Sequence, residues 1–107
     1  VVCDPEAPDT ILMSPVTNVG SWGPEGPLPT RAGTTDDLAI ATNTTDLNMT
    51  GHPAVSVPTG FDDHGVPIGM QLVSARYDDG LAIGAAALLE EVAPWPLHPA
   101  DYSPFGI

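Results

Sequence analysis

The chain has no lysine and only two arginines, Arg31 and Arg76, against 14 acidic residues. A net charge of -12 repels phosphate backbones, so nucleic acid is not expected as a partner. The acidic excess reads as a solvated surface that favours solubility. Cysteine is nearly missing as well. Cys3 stands alone, which rules out a disulfide framework or a cysteine zinc site within the chain and leaves it as a small buried hydrophobe or an exposed thiol. No apolar run approaches 18 residues, and no basic segment followed by an apolar stretch opens the sequence. A cytoplasmic protein with no membrane partner is therefore expected. The sequons at Asn43 and Asn48 would matter only in a secretory pathway, which no other feature supports. Repeats, low-complexity tracts, G-x-G-x-x-G and the P-loop are missing too. GSWG at residues 20–23 is no nucleophile elbow, because the serine spacing is wrong and no strand feeds it.

What is present suits one small domain. The 107 residues are 42% apolar, enough for a modest core. Eleven glycines and 13 prolines concentrate in residues 15–33 and near the end, so long irregular stretches are expected there. The valine at position 1 is compatible with a processed or truncated chain. Residues 11–13 read as a short buried strand closed by Ser14 and Pro15. Thr34, Thr35, Asp36 and Asp37 look like a helix start, with a hydroxyl cap and carboxylates in the first turn. That helix is predicted to run to about Met49 and to stop at Gly51. Its Thr42, Asn43, Thr44 and Thr45 are weak helix formers, so it needs tertiary packing and presents a polar, uncharged wall that suits a pocket lining.

Residues 54–58 and 68–73 read as two strands joined by a turn over FDDHG, with Gly65 free to take a positive φ. A second helix starts at Asp78 and Asp79 and ends before Pro94. Leu81, Ala85, Leu88, Leu89 and Val92 form its predicted core face, and Glu90 and Glu91 lie off it. The order strand, helix, strand, strand, helix predicts an α/β fold with a mixed sheet flanked by helices. Such a sheet keeps open edges, a liability that a further polypeptide segment would remove.

Residues 48–61, NMTGHPAVSVPTGF, resemble the pattern N-x-x-G-x-P-A-x-S-x-P-x-G-F of the amidase signature family. GVPIGMQLV at 65–73 is similar to that family's G-x-P-x-G-x-Q-L stretch. Tyr77-Asp78-Asp79 and the helix to Glu90 look like its F/Y-D-x…A…E ending, and ILMSP at 11–15 looks like its L-x-x-P strand end. The resemblance covers roughly residues 9–92 of one C-terminal domain segment, with 93–107 as an irregular tail. It implies an amidase fold that is incomplete without an N-terminal portion. Catalysis in the family uses a serine, a cis-serine and a lysine, because a weak hydroxyl needs a neighbouring base and an oxyanion needs donors. This sequence has neither a lysine nor a Gly/Ser-rich segment, so no catalytic residue is assigned to it. The resemblance implies that the triad sits on an N-terminal portion acting as partner, that the substrate is a small-molecule amide, and that no cofactor or metal takes part.

The same resemblance places pocket side chains seven and three residues before Asn48, at Ala41 and Thr45. Thr17 and Trp22, in the loop after Pro15, are the other substrate-binding candidates, although Trp22 also reads as a loop anchor. Members that use glutamine as nitrogen donor carry aspartate where Ala41 stands. That departure favours an uncharged acyl group, with nearby Asp37 as a conceivable substitute. Two rivals remain open: a non-catalytic binding or structural module derived from an amidase, and part of a glutamine-dependent amidotransferase A-type subunit. His52, His64 and His98 read as structural or exposed, Asp62-Asp63-His64 as a turn rather than a metal site, and Ser56 as a packed strand residue.

Overall fold

A computed structural model describes residues 7–17, 22–25 and 42–96. Five elements follow one another: β1 (Leu12–Pro15), α1 (Thr42–Thr50), β2 (Ala54–Phe61), β3 (Pro67–Val73) and α2 (Asp79–Val92). The expected helix start at Thr34 to Asp37 lies outside the described residues, as do Ala41 and the tail from residue 97.

The three strands form one sheet in the order β1-β3-β2, with both pairings antiparallel. The mixed sheet expected from the sequence is thus not seen among the described residues. The reason lies in the connection: β2 and β3 form a tight hairpin, which can only be antiparallel. Asp62 organises its turn. Asp62 Oδ1 accepts from the backbone N–H groups of His64 and Val66 at 2.8 and 2.9 Å, and the Asp62 N–H donates to the Val66 carbonyl at 2.9 Å. Gly65 sits at φ 77°, where a Cβ would be strained. A bulge between Pro58 and Gly60 absorbs one residue, Thr59, whose hydroxyl donates to the Ile68 carbonyl at 3.3 Å.

β1 ends at Pro15 as the sequence predicts, whereas β2 runs through Pro58 to Phe61, past the end expected at residue 58. β1 and β2 are the outer strands, and a residue without an N–H is tolerated at an edge. β1 is also not buried as expected, since its side chains alternate between half-buried and exposed. Only β3, the central strand, is covered on both faces: Gln71, Leu72, Val73 and the following Ser74 are all buried. Gly51 closes α1 as the sequence predicts, at φ 77° with its N–H on the Leu47 carbonyl at 2.9 Å.

Asp78 caps α2 by accepting from the Leu81 N–H at 3.2 Å, and Ser74 secures that turn by donating to the Asp78 carbonyl at 2.7 Å. α2 packs on β2 and β3, and Leu72, Val73 and Ala82 are the buried apolar residues among those described. Its face differs from the expectation in part. Leu81, Ala85 and Leu89 are half-buried, but Leu88 and Val92 are 60% and 68% exposed. A narrow three-stranded sheet cannot cover an apolar stripe as wide as the one α2 carries.

Candidate functional site

Side chains alternate across a strand, so the two faces of this sheet have different chemistry. On one face the register places Ser14, Gln71 and Ser56 side by side across all three strands. Gln71, 4% exposed, ties this face together. Its amide donates to Ser14 Oγ at 2.8 Å and to the Asn43 carbonyl in α1 at 2.6 Å. Asn43 answers by donating from Nδ2 to the Pro15 carbonyl at 3.0 Å. α1 is therefore moored to β1 and β3 through polar groups, as its weak apolar character requires.

Between α1 and this face runs a groove of about 280 Å³. Thr44, Leu47 and Asn48 line it from α1, at the i, i+3, i+4 spacing that shares one helical face. His52 lines it from the connection to β2, Ala54 and Ser56 from β2, Gln71 from β3 and Val16 from beyond β1. His52 is held by a 2.7 Å contact between Nδ1 and the Thr50 hydroxyl. Val16 packs closely over Gly69, where a Cβ would stand 3.1 Å from Val16 Cγ2 and 3.3 Å from Ser56 Oγ and push both by a few tenths of an ångström. Among the described residues that line it, His52 is the one with an ionisable group.

A larger, apolar groove of about 710 Å³ lies on the opposite side, between β2 and the second half of α2. Val57, Ile83, Ala86 and Leu89 line it, and Trp95 closes one end by stacking on Phe61 with ring centroids 4.7 Å apart. Among the described residues that line it, Glu90 is the one with an ionisable group, and they lack the convergent donors that orient a polar substrate. Among the described residues no three of His, Cys, Asp or Glu converge to hold a metal ion, and no helix is long and apolar enough to cross a membrane.

Three of the four residues read as pocket-lining from the sequence can be placed. Thr45 is an exposed residue of α1, about 100° around the helix from Thr44, a lining residue of the polar groove. Thr17 is exposed and follows Val16, and Trp22 is 44% exposed. None of the three lines either groove. Sequence reasoning does not single out Asn48, Ser56 and Gln71 as site residues, although alternation along β2 and β3 is enough to put Ser56 and Gln71 on one face. Ser56, read as packed, is exposed and lines the groove.

The family model described as Amidase matches residues 7–83. The chain is 42% identical to a fatty acid amide hydrolase of Arabidopsis thaliana, over 55% of this chain and 11% of that protein. It is 39% identical to the A-type subunit of a glutamyl-tRNA(Gln) amidotransferase from Ruegeria, over 55% of this chain and 12% of that protein. The chain thus spans about a tenth of the length of the curated relatives it matches.

Proposed function

The chain belongs to the amidase signature family, and on that premise we propose that it is the C-terminal segment of an amidase that hydrolyses carboxamide C–N bonds. Water and the carboxamide become a carboxylic acid and ammonia or an amine. The segment extends the sheet and presents the α1 side to a partner portion that supplies the serine, cis-serine and lysine. A hydroxyl nucleophile must be activated by a base, and a chain with no lysine does not bring that base. Its own residues act by shaping and orienting. Gln71 locks α1 to the sheet, and the groove, whose described lining carries no carboxylate, holds the amide.

The observation that supports this reading most is the imbalance of apolar burial. Leu72, Val73 and Ala82 are buried, while Met13, Ile68, Ile83, Leu88 and Val92 are exposed on both the sheet and α2. So much exposed apolar surface on so small a core fits a unit covered by further polypeptide. Ala41, where glutamine-using members carry aspartate, favours hydrolysis over the amidotransferase role named for the Ruegeria relative. Thr45, Thr17 and Trp22 face the partner portion in this reading, outside the groove itself.

The test is a chimera in which residues 7–96 replace the matching segment of the Arabidopsis hydrolase, assayed beside the isolated 107-residue chain for ammonia release from carboxamides. The chimera is expected to turn over amides and the isolated chain to be inert. Turnover by the isolated chain would refute the proposal.

A further inference from the structure

We infer that the outer edge of β2, over residues 54–57, is where the sheet continues, and that it pairs with an extended strand from the remaining polypeptide of the enzyme. This rests on the amidase reading and names the edge that reading leaves open. The register carries it. The Ser74 N–H donates to the Pro53 carbonyl at 3.2 Å, and the Val16 N–H donates to the Gly69 carbonyl at 3.1 Å. Backbone groups of an antiparallel strand point alternately to one neighbour and to the other. Pro53, Val55 and Val57 therefore turn theirs toward β3 from one side, and Leu12, Ser14 and Val16 do so from the other. The backbone groups of Ala54 and Ser56 point away from the sheet, and both residues are exposed. On β1 the outward residues are Met13 and Pro15.

The two edges are not equally open. An edge strand is kept from pairing by shortness, proline, charge or a bulge. β1 has four residues, Pro15 has no N–H, and its carbonyl already accepts from Asn43 Nδ2 at 3.0 Å. Met13 alone offers an outward donor and acceptor there. β2 has eight residues and no charged side chain, and its protections, Pro58 and the bulge at Thr59, come after residue 57. Residues 54–57 thus present two outward donor and acceptor pairs in line, which is what strand addition uses. A strand laid there carries alternate side chains to the α1 face beside Ser56 and to the α2 face beside Val57. A second copy of this chain is a poor occupant, since each copy has a net charge of -12. The amidase relatives are far longer than the part they share with this chain, and that remaining length is the source of the strand.

Backbone amide hydrogen exchange, read residue by residue by mass spectrometry, tests this in the 107-residue chain and in the chimera. The Ala54 and Ser56 amides are expected to exchange quickly in the chain alone and about a hundredfold more slowly in the chimera. Ser56→Pro removes the outward N–H and is expected to lower the melting temperature of the chimera. Ser56→Ala keeps that N–H and is expected to lower it less. A folded chimera in which the two amides stay as fast as in the chain alone overturns this inference, as does slowing at Met13 without slowing at Ala54 and Ser56. A folded chimera inactive on every amide refutes the hydrolytic reading, and exchange at residues 54 and 56 still decides the edge. If the chimera does not fold, the 107-residue chain in about 1 M sodium chloride decides, because screening lifts the repulsion between copies. Slower exchange at Ala54 and Ser56 in that salt, abolished by Ser56→Pro, supports the open edge, and unchanged exchange counts against it.

Discussion

The two faces of the one sheet are built on opposite principles. Toward α2, Val55, Val57, Met70 and Leu72 alternate inward and meet the helix through dispersion and burial alone. Toward α1, Ser14, Gln71 and Ser56 form a polar row, and the helix is held by hydrogen bonds from the Gln71 amide and from Asn43 to the Pro15 carbonyl. The apolar face can tolerate a change of shape, because burial has no direction. The polar face depends on geometry, since its hydrogen bonds hold only at defined distances and angles. A groove with direction-specific contacts therefore belongs on the second face, with the first as its support.

Three substitutions sharpen that contrast, from the largest effect to the smallest. Leu72→Ala empties the centre of the apolar face, where Leu72 is 1% exposed. A loss of about 3 kcal/mol is expected for a large-to-small core change, enough to collapse the dispersed amide resonances of so small a chain. Gln71→Ala removes the bonds that the glutamine amide donates to Ser14 and to the Asn43 carbonyl. The expected loss is about 2 kcal/mol, concentrated as faster amide hydrogen exchange in α1 with α2 little changed. Equal acceleration in both helices would show that the two faces are not independent. Leu88→Ser alters a residue that is largely exposed on α2. It should change the unfolding free energy of the isolated chain, read from a urea titration, by less than about 0.5 kcal/mol, yet weaken the chimera measurably. An equal effect in both would mean that no further polypeptide covers that side.

Much of this fold is legible in the sequence because its signals are local. The FDDHG turn, the Asp78 cap, Gly51 at the end of α1 and the alternation in residues 54–58 each depend on neighbours a few positions away. The misses share a cause. β2 continues past Pro58 because it is an edge strand, and edge position is not a local property. Leu88 and Val92 repeat at core spacing, but spacing does not reveal how much of a helical stripe the sheet can cover. The site shows the same division. Helix wall and hairpin are readable, while the choice of Thr44 over Thr45 turns on the rotation of α1 about its axis.

By itself the sequence determined the elements, their turns and caps, the family, and the lack of a lysine base, since propensity, patterning and composition act residue by residue. Tertiary structure alone decided which strand lies at the centre, which apolar side chains stay uncovered, and that Asn48, Ser56 and Gln71 meet beside α1. Those outcomes depend on contacts between residues far apart in the chain, and their register is set only when the strands pair and the helices dock.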